Sequence, residues 1–352
     1  MQDSLAEVSF AVPGDIDAPT GGYAYDRRLL KLLPSYGVDA RLVKLPPSFP
    51  FPSAADLKAS ERLLASTPSD TRLIVDGLAY GALPADLIAR LDRRIIALVH
   101  HPLALETGLD AQARDRLHAS EKAALALARR VIVSSAVTRR TLIDDYEVPE
   151  ELITVAEPGT DPAARASGTG VPMQLLAVGA VSPRKGYDVL VEALAEIRKL
   201  DWRLTIAGAL DRDPATVTAL EAQIAMQRLS DRVTLAGTVV PATLDRFYES
   251  CDVFVMPSRY EGYGMVLGEA MARGLAIVCT TGGAAAETVP DGASIKVKPD
   301  DAAALAHAIE RAITDHKLRK SMRRASWETG RTLPTWNETA RRVAACLVGI
   351  NA

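Results

Sequence analysis

Two doubly wound α/β domains are what this sequence predicts, and three observations predict them. Short β-branched runs alternate with longer amphipathic segments along the whole chain, the pattern of parallel sheets with crossover helices. One stretch, E-P-G-T-D-P-A-A-R-A-S-G-T-G-V-P at 157–172, is rich in Gly, Pro and small residues and carries no apolar period, as an interdomain linker would. The length, 352 residues, suits two domains of ordinary size.

The first series has apolar runs at 7–12, 40–45, 72–75, 95–99, 131–134 and 153–155. Between them, helical periodicity covers 23–33, ending at Pro34, then 53–66 after the Pro-rich stretch L-P-P-S-F-P-F-P, and 110–129. The second series starts afresh, with strands at 175–178, 204–207, 233–236, 253–256 and 276–279. Its helices are near 187–199, 214–228, 241–250, 265–273, 284–288 and 301–314. The second domain reads as complete by about residue 315. A last helix, roughly 335–349, places Trp336, Val343, Leu347 and Ile350 on one stripe, which needs a partner surface. It is expected to return to the first domain, so the domains read as 1–160 plus 333–352, and 170–332.

Composition narrows the class. Hydrophobic residues make up 48% and charged residues 24%, enough apolar side chain for two cores and not the balance of a disordered chain. The net charge is −3 and neither half is strongly basic, which excludes a general nucleic-acid binder. Three cysteines, Cys251, Cys279 and Cys346, are odd in number and far apart, so neither a disulfide framework nor a zinc site is expected. The first ten residues lack a basic n-region and a long apolar run, and the longest apolar runs, such as I-I-A-L-V at 95–99, cannot span a bilayer. A cytoplasmic location is expected. Arg27, Arg28 and Lys31 on the first helix could touch an anionic membrane face from the inside; a solvated helix face is the plainer alternative.

Four loops carry chemistry. Each follows a strand, where ligands of open parallel sheets bind, and the main pocket is expected where the two domains face each other. In P-G-D-I-D-A-P-T-G-G-Y at 13–23, Gly21 and Gly22 stand where the first helix begins and allow close approach to helix N-terminal amides; a flexible turn is the alternative. V-H-H-P at 99–102 puts His100 and His101 at a strand's carboxyl end, in a chain with five histidines. G-A-V-S-P-R-K-G-Y at 179–187 sets Arg184 and Lys185 before a helix start, a suitable pair for a diphosphate, although a solvated basic turn would read the same way alone. The last, S-R-Y-E-G-Y-G-M-V-L-G-E at 258–269, is the most specific. Glu261 lies in a Gly-rich loop and Glu269 inside the following apolar helix, roughly 10 Å apart along the element. Two carboxylates at that spacing suit hydroxyls at the two ends of a nucleotide sugar.

With these residues in view, the chain resembles the retaining family 4 glycosyltransferases of the GT-B fold, two Rossmann-like domains facing each other. Glu261 and Glu269 match their E-x7-E spacing. V-G-A-V-S-P-R-K-G-Y-D-V-L-V-E-A-L is similar to the donor-phosphate turn, E-K-A-A-L-A-L-A-R-R-V-I-V-S-S to the helix and strand before the linker, and E-P-G-T-D to the linker itself. T-T-G-G-A-A-A-E-T-V-P-D-G resembles the late Gly-rich loop, and T-W-N-E-T-A-R-R-V-A the closing helix. The resemblance implies transfer of a sugar from a nucleoside diphosphate sugar, with retention at the anomeric carbon. It assigns the donor diphosphate to Arg184 and Lys185, and donor-sugar hydroxyls to Glu261. Sugar and phosphate fall to the amides of Gly262, Tyr263, Gly264, Met265 and Val266, and the ribose to Glu269. Gly22, beside Gly21, would approach the phosphates, and His100 would stand next to the sugar, with His101 the second choice. Glu261 and His100 are therefore the implied catalytic residues.

Two positions depart from the family pattern: Ala180 stands where many members have Arg, and G-G-A-A-A-E lacks a Pro before Glu287. No D-x-D lies near the nucleotide loops, so no metal and no other cofactor is expected. The acceptor, a sugar, a lipid-linked group or a small molecule, is unread; Phe49 and Phe51 are a candidate lip. A nicotinamide oxidoreductase is disfavoured because the first turn lacks G-x-G-x-x-G. A GT-B epimerase or inverting transferase, and a non-catalytic nucleotide-sugar binder, remain the alternatives.

Overall fold

The computed structural model describes residues 6–348. Two compact units divide the chain: Met1–Gly159 with Pro334–Ala352, and Thr160–Leu333.

The first unit is built on six strands: β1 (Ala6–Pro13), β2 (Val38–Leu45), β3 (Arg72–Asp76), β4 (Ile95–Val99), β5 (Arg130–Val133) and β6 (Ile153–Val155). They pair in the order β2-β1-β3-β4-β5-β6, every pair parallel. Its helices are α1 (Gly21–Leu32), α2 (Ala54–Ala65), α3 (Gly77–Tyr80), α4 (Ala85–Leu91), α5 (Ala111–Leu125) and α6 (Ala136–Asp144). Strands covered on both faces must be apolar throughout, and β4 is buried at all five positions.

The second unit repeats the plan. Its strands are β7 (Met173–Val178), β8 (Trp202–Ala207), β9 (Val233–Gly237), β10 (Val253–Met256), β11 (Ala276–Thr280) and β12 (Ser294–Val297). They run parallel in the order β12-β11-β10-β7-β8-β9. Its helices are α7 (Tyr187–Glu196), α8 (Pro214–Met226), α9 (Pro241–Ser250), α10 (Met265–Ala272), α11 (Ala285–Thr288), α12 (Ala302–Thr314) and α13 (His316–Gly330). Every residue of β10 and β11 is buried.

Several elements differ from the sequence reading. Pro34 does not end the first helix in a loop: it occupies a 3₁₀ turn, Leu33–Tyr36, that continues α1, because Pro lacks only a donor that a first turn leaves unused. The helices α3, α4 and α6 and the strand β12 were not anticipated; each is short, and four to nine residues carry too little period to register. The second unit is not complete at 315. Helix α13 packs on α10 and β11, yet of its fifteen residues only Met322 and Ser326 are buried, so it shows no apolar stripe. Phe49, offered as a lip, is a core residue at 6% exposure, while Phe51 stands out at 56%.

The chain then closes with α14 (Trp336–Val348), which packs on α1, on the 3₁₀ turn after it and on β6. Its Val343 and Leu347 are fully buried, and Ile350 lies outside the described residues. Thr339 Oγ1 donates to the Glu157 carbonyl at 2.6 Å, and the Trp336 ring stands edge-on to Tyr25 at 5.7 Å.

Candidate active site

The pairing order decides which loops meet. In the second unit the chain winds outward from β7 through β8 to β9, then returns to lay β10 on the other side of β7. The loops after β7 and β10 therefore diverge from neighbouring strands, the place where such sheets hold ligands. These loops carry Arg184 and Lys185, and Glu261.

Glu261 is 6% exposed and gathers three partners on one oxygen. Lys185 Nζ donates to its Oε1 at 2.6 Å and Ser258 Oγ at 2.7 Å, with Arg184 Nη1 at 3.4 Å. Burial alone would raise the carboxyl; the charges of Lys185 and Arg184, with the Lys185 and Ser258 hydrogen bonds, outweigh it and hold it at about 2. Arg184 is itself held by the Tyr260 carbonyl at 2.9 Å. The loop is pinned to the strand-like segment opposite: Glu261 N donates to Gly282 O at 3.2 Å, and Ala284 N to Glu261 O at 2.8 Å. Residues Gly262 and Tyr263 follow, and Thr288 Oγ1 fixes the Tyr263 carbonyl at 2.8 Å. Gly264, at φ +85°, turns the chain into α10, a conformation that costs a residue with a Cβ strain. Met265 and Val266 open that helix, so their amides have no partner inside it.

Glu269 lies one turn into α10. Its Oε2 accepts from Tyr248 Oη at 2.8 Å, and burial pushes its carboxyl up. Glu287 is exposed on α11.

The first unit has its own constellation. Here β1 lies between β2 and β3, and β4 follows β3. Thr20 caps α1, accepting from Tyr23 N at 3.2 Å, so Gly21 and Gly22 form the first turn. A Cβ on Gly22 would stand 3.0 Å from His100 Cδ2, so any side chain there would press on the ring. His100 follows β4, and its Nε2 is 3.2 Å from Asp26 Oδ1 and 3.5 Å from Asp76 Oδ2. Burial alone would push the imidazole down; the two carboxylates reverse that and hold it up at about 10. Burial raises the Asp26 carboxyl in turn, so the two groups titrate as a pair in which the carboxylates favour the charged ring. His101 turns instead to Glu106, at 3.3 Å, which separates the two histidines.

Asp26, Asp76 and Ser258 escaped sequence reasoning. Asp26 sits inside an apolar helix stripe and Asp76 at a strand end, and nothing local ties either to position 100. Glu121, buried in α5, was likewise missed; it accepts from Leu103 N at 2.8 Å and anchors the loop behind the histidines. The suggested membrane cations are partly spent: Arg27 donates to the Ile16 and Ala18 carbonyls, and Arg28 lies over the Trp336 ring at 5.5 Å. No described helix is long and apolar enough to cross a membrane.

One carboxylate oxygen each from Asp26 and Asp76 and a His100 nitrogen also lie within 4.8 Å of one another, a spacing that a divalent ion could use. The ion-pair reading makes a distinct prediction. The raised His100 pKa adds stability that is fully present below the ordinary 6.5 and is lost as pH rises through 10. Asp26→Asn should therefore bring the ring's titration down by more than one unit, read from its Cε1 proton resonance. A resonance that titrates as in the parent chain would refute the pairing.

Two six-stranded, doubly wound parallel sheets make this a GT-B fold. HepE of Anabaena, solved in complex with UDP and glucose, matches 97% of this chain and 99% of its own, with a TM-score of 0.76 at 19% identity. Residues 19–164 match the Glycosyltransferase Family 4 model and residues 169–328 the model of Glycosyl transferases group 1. The chain belongs to the family 4 glycosyltransferases. The MMP alpha-(1->4)-mannosyltransferase of Mycolicibacterium hassiacum is 26% identical over 325 residues, 85% of this chain and 78% of that one. A D-inositol 3-phosphate glycosyltransferase of Arthrobacter sp. is 33% identical over 216 residues, 56% of this chain and 51% of that one. The chain spans about half the length of most of the curated relatives it matches.

Proposed function

We propose that the protein transfers a hexose from a nucleoside diphosphate sugar to a hydroxyl acceptor, with retention at the anomeric carbon and without a metal. The carrying observation is the Glu261 carboxylate, buried yet ionised, gripped by Lys185, Arg184 and Ser258 beside the start of α10. In this reading the two cations and the amides of Met265 and Val266 face the diphosphate and stabilise charge as it leaves. Glu261 accepts from sugar hydroxyls, the Gly262 and Tyr263 amides border the sugar, and Glu269 accepts from the ribose. The His100 imidazolium, in the acceptor-side unit, is a charged donor toward the transferred sugar. No carboxylate is assigned to a covalent intermediate; the leaving phosphate takes the acceptor's proton on the same face. UDP is the first donor base to try, since HepE was solved with UDP, and phosphorylated sugars or cyclitols are the first acceptors, since an inositol phosphate relative is among the matches.

The test is release of nucleoside diphosphate from UDP-, GDP- and ADP-hexoses, first alone and then with acceptors. The anomeric coupling of the product reads the stereochemistry. Acceptor-stimulated turnover with a retained anomer is expected. Binding of every donor without turnover would favour a nucleotide-sugar binder, and loss of donor without any acceptor product an epimerase. The rate is expected to be unchanged by EDTA. Loss of the rate in EDTA, restored by Mn²⁺, would instead point to a divalent ion, and loss of that Mn²⁺ response in Asp76→Asn would place it at Asp26, Asp76 and His100.

A further inference from the structure

We propose that the cavity walled by α13 in the second unit binds a small phosphate-bearing polyanion, at a site that shares no residue with the Arg184 and Lys185 turn. The cavity has a volume of about 500 Å³, enough for a diphosphate or a sugar phosphate. His316, Arg319, Lys320 and Arg323 line it from α13, and their spacing of three, one and three puts all four on one helix face. Arg165 and the 167–170 loop line it from the other side, with Asp252 at the base.

Charge is what marks this cavity. Four permanent cations face a single carboxylate. Asp252 is 4% exposed and is already occupied by structure: it accepts from the amides of Thr169, Gly170 and Gln174 and from Thr169 Oγ1. Among the described residues, none of Arg165, Arg319, Lys320 and Arg323 makes an ion pair with a carboxylate. Elsewhere on the same unit, Arg259 and Arg273 are paired with Asp188 and Asp245, each within 2.7 Å. The three guanidiniums are positioned by other means. Arg319 donates to the Ala312 and Ile313 carbonyls at 2.8 and 2.6 Å, Arg323 to the Ala166 carbonyl, and Arg165 lies over the Trp327 ring at 5.7 Å. Burial, and then the neighbouring Arg165 charge, lowers the pKa of Arg323. Like charges four residues apart destabilise a helix, and an anion in the cavity reverses the sign of that contact. Guanidiniums held in fixed planes beside a lysine suit phosphate oxygens, which accept two parallel hydrogen bonds from Arg and a point charge from Lys.

Phosphate of this kind comes from a soluble metabolite or from a lipid headgroup, and two arms separate them. Pyrophosphate is titrated calorimetrically into the full chain at constant ionic strength. All proteins carry Lys185→Ala, so that the other cationic turn does not report. Lys320 is exposed, so Lys320→Glu should fold, which its melting temperature checks. A dissociation constant at least tenfold weaker for Lys320→Glu, and kept by Lys320→Arg, is the expected result. The second arm sediments the protein with phosphatidylglycerol or phosphatidylcholine vesicles. Sedimentation with phosphatidylglycerol alone, lost in Lys320→Glu and without pyrophosphate binding, assigns the phosphate to a lipid. Pyrophosphate affinity and sedimentation that are both indifferent to the charge at 320 would overturn the site. Nucleotide release from donor sugars is scored separately, so failure here and failure of the transferase reading are distinct results.

Discussion

Glu261→Ala should cut glycosyl transfer at least about tenfold, a loss near 1.4 kcal/mol of transition-state stabilisation, and should also destabilise the second unit. Both effects come from one arrangement. Lys185 and Arg184 are 13% and 20% exposed at the side chain, and both lie against the Glu261 carboxylate. Removing one partner of a buried ion pair leaves the other charge desolvated, at a cost of about 3–5 kcal/mol. Glu261→Gln isolates the part due to charge, because an amide oxygen keeps the Ser258 hydrogen bond while losing the charge.

The pH dependence has a definite sign. The folded carboxyl sits at about 2, below its ordinary 4.5, so its contribution is complete above 4.5 and is lost as pH falls towards 2. The shift is worth about 3 kcal/mol. Between pH 5 and 2 the parent chain should lose stability more steeply than Glu261→Gln, followed by denaturant unfolding. Parallel curves, or wild-type turnover in a folded Glu261→Ala, would remove Glu261 from the donor site.

Deleting residues 334–352 should unfold or aggregate the first unit. The loss uncovers the faces of α1 and β6 against which Ala340, Val343, Ala344 and Leu347, each no more than 4% exposed, are packed. It also frees the Glu157 carbonyl that Thr339 satisfies. Leu347→Ala alone should cost about 2–5 kcal/mol, the range for a buried leucine whose cavity cannot fully collapse. Calorimetry checks both. A truncated chain that stays soluble and melts with the parent would show that α14 is an accessory and not part of this core.

The sequence by itself determined the elements that need no distant partner to be recognised. Alternating β-branched runs and amphipathic segments specify parallel α/β units, and glycines before a helix specify where a ligand can reach backbone amides. Arg184, Lys185, Glu261 and Glu269 were singled out for that reason: each is close in sequence to the glycine turn that gives it meaning in the proposed donor site. The apolar stripe of α14 was legible too, because a stripe without a local partner must find a distant one. Helix α13 was not, since a helix that buries two side chains leaves no periodic trace. Only the tertiary structure joined Asp26, Asp76 and His100, which come from three separate crossovers and meet because β1, β3 and β4 are neighbours. The same holds for Lys185 and Glu261, 76 positions apart, whose pairing follows from β10 lying against β7. Charge state belongs to this second class. A carboxylate at about 2 and an imidazole at about 10 are set by burial and by partners across the sheet, and no spacing along the chain carries that information.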